Sequence, residues 1–276
     1  MERYVYHDIL IRALKEDIGN GDLTTNICIN NDSESEALLI AKEPGVLCGT
    51  ALVEEVYSII DQEVNIEFNY QDGDALAKGD IIGMIWGKTK SILSAERVAL
   101  NFLQHLSGIA TVTRKYVDMV GEFDTKIVDT RKTTPGLRVL EKYAVTIGGG
   151  YNHRFGLYDG VMIKDNHIAG AGGIKAACEL ARKKIPHTLK IEVEVSNIDE
   201  VKEALSCGAD IIMLDNMSLE EMSQAVKVID GRAIVEASGN MGDKDLKEIA
   251  GLGVDIISIG AITNSVRNMD ISLKFK

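Results

Sequence analysis

Beyond residue 124 the chain repeats one pattern. TKIVDT, GVMIKDN, LKIEVEV, DIIMLDN, RAIVEAS and DIISIGA are short β-branched runs separated by helix-length intervals. The later repeats begin near residues 190, 211, 233 and 255. That spacing is too short for antiparallel meanders carrying helices and sufficient for parallel strands joined by crossovers. Each run ends in groups capable of chemistry: Asp129 with Arg131 and Lys132, Lys164, Glu194, Asp215, Ser238 and Gly260. In a parallel β/α barrel the carboxyl ends of the strands meet around one mouth, so residues distant in sequence share a pocket. An open doubly wound sheet would spread them along an edge, which makes it the less economical arrangement.

The first half reads differently. Ile9, Leu10, Ala13, Leu14 and Ile18 recur at helical spacing before Gly19-Asn20-Gly21 breaks the pattern. From about 34 to 87, the runs ALLIA, GVLCG, VNIEF and DIIGMIWG are divided by Gly, Asp and Pro, with a helical interval near 50 to 60, which predicts a small α+β unit. From Ser91 to about Val120 the spacing is helical without proline, and Ser107-Gly108 is the expected interruption, giving one or two helices between the halves. The segment QDGDALAKGDIIGMIWG resembles the hairpins of biotin- and lipoyl-carrier domains, but Asp74, Lys78 and Asp80 are ordinary turn residues, and a structural turn is the better reading.

Composition sharpens the meaning of the basic residues. The formal net charge of -12 disfavours nucleic acid or an anionic membrane as a partner, because the average face repels both. Against that background DTRKTTPGLR at 129 to 138, NHR at 152 to 154 and KDNH at 164 to 167 supply Arg131, Lys132, Arg138, His153, Arg154 and Lys164. Such groups converging at strand ends repel one another unless an anion neutralises them, so a polyanionic substrate is expected. The bland alternative pairs each with a surface carboxylate. Arginine suits a planar carboxylate through its two-pronged donor, whereas lysine suits phosphate oxygens as a movable charge. His153, directly after Gly148-Gly149-Gly150 and between Asn152 and Arg154, could donate a hydrogen bond or add charge.

Glu194 and Asp215 end adjacent strands and could hold magnesium together with water and substrate phosphates. Alternation puts Glu192 on one face with Glu194 but deeper, where pairing with a buried lysine is the competing expectation. Ser238-Gly239-Asn240 and Ile259-Gly260-Ala261 each follow a strand and precede a helical pattern, so their N–H groups could cradle phosphate. The last two strand loops of such barrels are a frequent phosphate site.

Cys28, Cys48, Cys178 and Cys207 form no CxxC pair, which argues against a disulfide framework or structural zinc. The N-terminal MERYVYHDILIRALKED carries charges where a secretory signal needs an apolar centre, and no apolar run reaches the roughly 20 residues of a membrane helix. A cytoplasmic protein is expected.

EDIGNGDLTT at 16 to 25, SAERVALNFLQHLSGIAT at 94 to 111, DTRKTTPGLRVLEKYAV at 129 to 145, GGGYNHRFGL at 148 to 157 and IKDNHI at 163 to 168 resemble the quinolinate phosphoribosyltransferase family. That family is also called nicotinate-nucleotide pyrophosphorylase (carboxylating). EVEV, MLDNM, EASGN and SIGA follow in the family's order, so the resemblance covers nearly the whole chain. It implies an α/β protein with an N-terminal α+β domain over residues 1–112 and an incomplete parallel β/α barrel over 113–276. The extreme C-terminus is a candidate to return to the first domain.

The resemblance also implies the chemistry: phosphoribosyl transfer from phosphoribosyl pyrophosphate to quinolinate, with decarboxylation to nicotinate mononucleotide. It assigns Thr130, Arg131, Lys132, His153, Arg154 and Lys164 to the substrates, and Glu194 and Asp215 to the ribose and magnesium. Ser238, Gly239, Asn240, Ile259, Gly260 and Ala261 fall in its phosphate loops. Arg97 matches an arginine that reaches the site of a neighbouring subunit in a homodimer or higher oligomer. Asn240 departs from the second glycine found in many members. Two other readings remain: a related transferase with a nicotinate-type or molybdenum-transport-associated acceptor, and a noncatalytic anion-binding protein.

Overall fold

The computed structural model describes residues 1–276. In chain order its elements are α1 (Arg3–Ile18), α2 (Leu23–Cys28), β1 (Glu34–Ala41), β2 (Gly45–Val46), α3 (Thr50–Ile60), β3 (Asn65–Phe68), β4 (Ala75–Leu76), β5 (Ile81–Lys88) and α4 (Thr89–Met119). There follow β6 (Lys126–Val128), α5 (Arg138–Ile147), β7 (Val161–Ile163), α6 (Asp165–Ala171), α7 (Ile174–Lys184), β8 (Ile191–Val195), α8 (Ile198–Ser206) and β9 (Ile211–Asp215). The chain ends with α9 (Leu219–Ile229), β10 (Ile234–Ser238), α10 (Leu246–Gly251), β11 (Ile256–Ser258), α11 (Ala261–Asn264) and β12 (Ile271–Phe275). Two units emerge. One comprises Met1–Arg114, Thr133–Gly149 and Ser265–Lys276, and the other Lys115–Lys132 and Gly150–Asn264.

The first unit is built on an antiparallel sheet in the order β12-β1-β5-β3. Its last strand comes from the C-terminus, with Leu273 opposite Leu39. The N-terminus of α3 is satisfied by Asp72, which accepts from the N–H groups of Gly49 and Thr50 at 2.9 and 3.0 Å. Lys78 is exposed in a turn closed by Asp80, which accepts from Ala77 N–H at 2.8 Å.

Helix α4 is a single helix, where the sequence suggests a break at Ser107-Gly108. Ile92, Ala95, Val98, Ala99, Leu103, Leu106 and Ile109 form a buried stripe that continues through the pair. Ser107 uses its hydroxyl to bond Cys48, accepting from its N–H at 3.0 Å. Gly108 is there for close approach: a Cβ would collide with the carbonyl oxygen of Arg267 and come within 3.2 Å of Asn268 Cα. Tertiary packing explains a glycine that local propensity reads as a breaker.

The second unit holds six parallel strands in the order β6-β11-β10-β9-β8-β7. Tyr151 adds a one-residue parallel bridge to Val128 at the β6 edge. The staves therefore succeed one another as in a barrel, but the arc is open between Tyr151 and β7, giving the incomplete β/α barrel. Val193, Ile212, Leu214, Val235, Ala237 and Ile257 are buried, each contributing roughly 1.5–3 kcal/mol if large and aliphatic. The helices between strands start where the sequence supplies caps. Asn197 accepts from Glu200 N–H at 3.0 Å before α8, Ser218 and Glu221 form a capping box before α9, and Asp245 caps α10.

Candidate active site

Strand register gathers the polar residues on one face. Glu194 and Glu236 both lie opposite Met213, and Ser238 lies opposite Asp215. Neighbours in register share a face and side chains alternate, so Glu192, Glu194, Asp215, Glu236 and Ser238 project from the same side. Met162 opposite Glu192 carries the pattern to Lys164, two residues on. The ammonium of Lys164 pairs there with the Glu194 carboxylate.

These side chains form two layers. Lys164, Glu194, Asp215 and Ser238 are half-buried at the carboxyl ends of the strands. Beneath them, Asp129, Glu192, Glu236 and Ser258 are buried. Asp129 anchors the segment after the Tyr151 bridge, accepting from Asn152 Nδ2 at 2.6 Å and from His153 N–H at 2.9 Å. This places Arg154 beside Arg131. Arg154 Nη1 donates to Gly160 O at 2.9 Å. Burial, then the Arg131 charge, lower the Arg154 pKa, and Glu192 opposes them. Two guanidinium groups thus face a common region that favours an anion.

Lys132 and the late glycine loop meet directly. Lys132 N–H donates to Thr130 Oγ1 at 3.0 Å, and its carbonyl accepts from Thr263 Oγ1 at 2.8 Å. A Cβ on Gly260 would lie 3.0 Å from Lys132 Cδ and 3.7 Å from Thr130 Oγ1, so the bare backbone there leaves room for the lysine. Ala261 opens α11, whereas the Ile259 N–H is committed to Val128 O at 3.0 Å. In the other loop Gly239 has φ 94° and packs against Asn216, leaving no space for a side chain. Asn240 follows at φ 51°, a left-handed conformation that asparagine tolerates, so the local difference from glycine keeps the same backbone region accessible. A 3₁₀ turn, Met241–Asp243, separates this loop from α10, where the sequence suggests a helix at once.

The deeper glutamate has a different partner from the buried lysine expected. Glu192 Oε2 lies 3.2 Å from His153 Nε2, and Glu236 Oε2 approaches the same nitrogen at 3.5 Å. Burial opposes a charge on the ring, and the two carboxylates pull its pKa upward. Burial also raises Glu192. The Arg154 N–H donated to Nδ1 at 2.7 Å occupies the place a second proton would need, so the ring is neutral with its one proton on Nε2, toward the carboxylates. Glu236 escaped the sequence reading. The signal was a lone acid in the apolar run RAIVEAS, two residues before Ser238 as Glu192 is two before Glu194.

Arg97 is exposed on α4 and belongs to the first unit. Arg138, also in that unit, donates from Nε to Thr133 Oγ1 at 2.9 Å.

A sequence profile for the C-terminal domain of quinolinate phosphoribosyl transferase matches residues 109–274, and one for its N-terminal domain matches residues 22–107. The chain belongs to the quinolinate phosphoribosyltransferase family. It is 47% identical over 258 residues to the probable nicotinate-nucleotide pyrophosphorylase [carboxylating] of Bacillus subtilis, covering 94% of this chain and 89% of that protein. It is 42% identical to quinolinate phosphoribosyltransferase [decarboxylating] 2b, mitochondrial, of Nicotiana tabacum, covering 98% and 82% respectively. The solved nicotinate-nucleotide pyrophosphorylase of Francisella tularensis superposes with a TM-score of 0.95 at 41% identity, covering 100% of this chain and 98% of that one. Family membership thus extends over both halves of the chain and over its α/β architecture. No helix is long and apolar enough to cross a membrane.

Proposed function

We propose that this chain transfers the phosphoribosyl group of phosphoribosyl pyrophosphate to the ring nitrogen of quinolinate and releases pyrophosphate and carbon dioxide, giving nicotinate mononucleotide for NAD biosynthesis. One observation carries the reading: Arg154, with the Arg131 charge close by, reaches Met162 on the strand face that carries Lys164, Glu194 and Asp215. A dicarboxylate acceptor and a phosphorylated donor use both kinds of group, and relatives are named for this reaction: quinolinate phosphoribosyltransferase [decarboxylating] and nicotinate-nucleotide pyrophosphorylase [carboxylating].

Arg131 and Arg154 hold the acceptor carboxylates, with His153 beneath and Arg97 supplied by the second subunit of a homodimer, so that the ring nitrogen faces the anomeric carbon. The nitrogen lone pair forms the new C–N bond as the C–O bond to pyrophosphate breaks. Lys132 and Lys164 receive the charge gathering on the leaving oxygens. Ser238, Gly239, Asn240, Gly260 and Ala261 line the ribose phosphate, while Ile259, buried and bonded to Val128 O, does not. Lys132 beside Gly260 supports that placement.

Glu194 and Asp215 present hard oxygen donors on one face, half-buried, which suits magnesium completed by substrate oxygens and water. Magnesium held there would neutralise charge on the departing pyrophosphate. The same carboxylates accept hydrogen bonds from ribose hydroxyls. After transfer, the pyridinium stabilises the electron pair left when the adjacent carboxylate departs as carbon dioxide, and that carbon then takes a proton. The free thiols support a reducing, cytoplasmic location.

Incubation with quinolinate, phosphoribosyl pyrophosphate and magnesium should yield nicotinate mononucleotide by mass, with carbon dioxide from carboxyl-labelled quinolinate. Product from nicotinate instead, without labelled gas, would assign a different acceptor.

A further inference from the structure

Below the strand-end layer lies a buried cluster that the reaction steps above do not use. Glu192 and Glu236 are 4% and 1% exposed, and Glu192 Oε1 and both Glu236 oxygens lack a hydrogen-bond partner. Burying carboxylates this fully is costly unless something nearby requires them. Their common neighbour is His153 Nε2, at 3.2 and 3.5 Å.

Two uses fit the spacing. The three ligand-type atoms lie within 4.8 Å of one another, as a divalent cation would require. A cation, however, needs the lone pair of Nε2, and the other ring nitrogen already accepts the Arg154 N–H at 2.7 Å. The proton therefore occupies Nε2, the position a metal would need. The geometry favours a support for the ring, with Glu192 facing the Nε2 proton at 3.2 Å and the Glu236 charge beside it at 3.5 Å.

We propose that Glu192 and Glu236 are positioning residues for the acceptor pocket: together they orient the His153 ring, whose Nδ1 holds the Arg154 backbone and so aims its guanidinium at the acceptor. The chain of contacts is continuous. The carboxylates face Nε2, Nδ1 takes the Arg154 N–H, and the Arg154 side chain is held at its far end by Gly160 O at 2.9 Å and Met162 Sδ at 3.5 Å. The Glu192 charge also acts on Arg154, offsetting the like charge of Arg131 beside it. This inference rests on Arg154 binding the acceptor.

The test is steady-state kinetics of Glu236→Gln and Glu192→Gln, alone and with His153→Asn. In each single variant the KM for quinolinate should rise at least about tenfold while that for phosphoribosyl pyrophosphate stays within about twofold. Adding either Gln substitution to His153→Asn should change little further, because the acids act through the ring. Equal effects on both KM values, or full additivity with His153→Asn, would overturn the role.

Nitrogen-15 NMR of the wild-type ring should show the proton on Nε2. A ring protonated at Nδ1, whether alone or together with Nε2, would overturn it even if a variant failed to fold. A wild type that makes no nicotinate mononucleotide removes the functional reading and this role with it. An active wild type whose quinolinate KM is unmoved in Glu236→Gln removes this role alone.

Discussion

Lys164 and Glu194, 30 residues apart in sequence, form an ion pair at the ends of the adjacent parallel strands β7 and β8. The side chains are 40% and 16% exposed, so the pair is open to exchange with a ligand. A phosphorylated donor would divide it, the ammonium turning to phosphate oxygens and the carboxylate to ribose hydroxyls or magnesium.

Lys164→Ala should therefore act on turnover much more than on folding. Removing one charge that stabilises the leaving group is expected to lower kcat/KM by about 10²–10³-fold. A half-exposed lysine contributes little packing, so Tm should move by only a few degrees. Parallel kinetics and thermal melts check this, and near-normal turnover in a folded variant would remove Lys164 from the reaction.

Arg97→Ala should be inactive alone and rescued by a Lys164→Ala partner if Arg97 serves the neighbouring subunit. Random pairing makes half the dimers mixed, each with one intact site, so about a quarter of wild-type activity should return. Activity that stays at background in verified mixed dimers would place Arg97 in the service of its own chain.

Gly260→Ala tests the contact with Lys132. The new Cβ would sit 3.0 Å from Lys132 Cδ, and the flexible lysine can yield while the strand beneath need not move. The expected result is at least a tenfold rise in KM for phosphoribosyl pyrophosphate, roughly 1.4 kcal/mol of lost binding, with little change in Tm. Titration of the donor at saturating quinolinate reads it.

A pH effect is expected from His105. Its Nε2 meets Glu141 Oε1 at 2.9 Å and its Nδ1 meets Asn268 Oδ1 at 3.1 Å. The bond to Glu141 raises its pKa above the ordinary 6.5, burial opposes this, and Asn268 assists. Because the folded value exceeds the unfolded one, the contribution is complete below about 6.5 and is lost as pH rises through the folded value. The stability difference between wild type and His105→Gln should thus be larger at about pH 6 than at about pH 9, which denaturant unfolding at both pH values measures. A difference that grows with pH would contradict the ion pair.

Much of the second unit was legible because its information is local. Alternating β-branched runs and helix-length gaps specify strands and crossovers, and the period of two puts Glu192, Glu194, Asp215 and Ser238 on predictable faces. The cationic set stood out because the rest of the chain is acidic. Gly108 shows the limit of that information. Its neighbours suggest a break, and only the backbone of residues 267 and 268 packed against it explains an unbroken helix.

The amino-acid sequence by itself determined the strand-helix rhythm, the strand-end chemistry and the motifs of the family. The tertiary structure alone decided that β12 pairs with β1, that segment 133–149 groups with the first unit, and that Glu192 meets His153 and Glu236 in place of a lysine. Periodicity records which way a side chain faces within its own element. What it touches depends on strand order and register between distant segments, and no local pattern carries those.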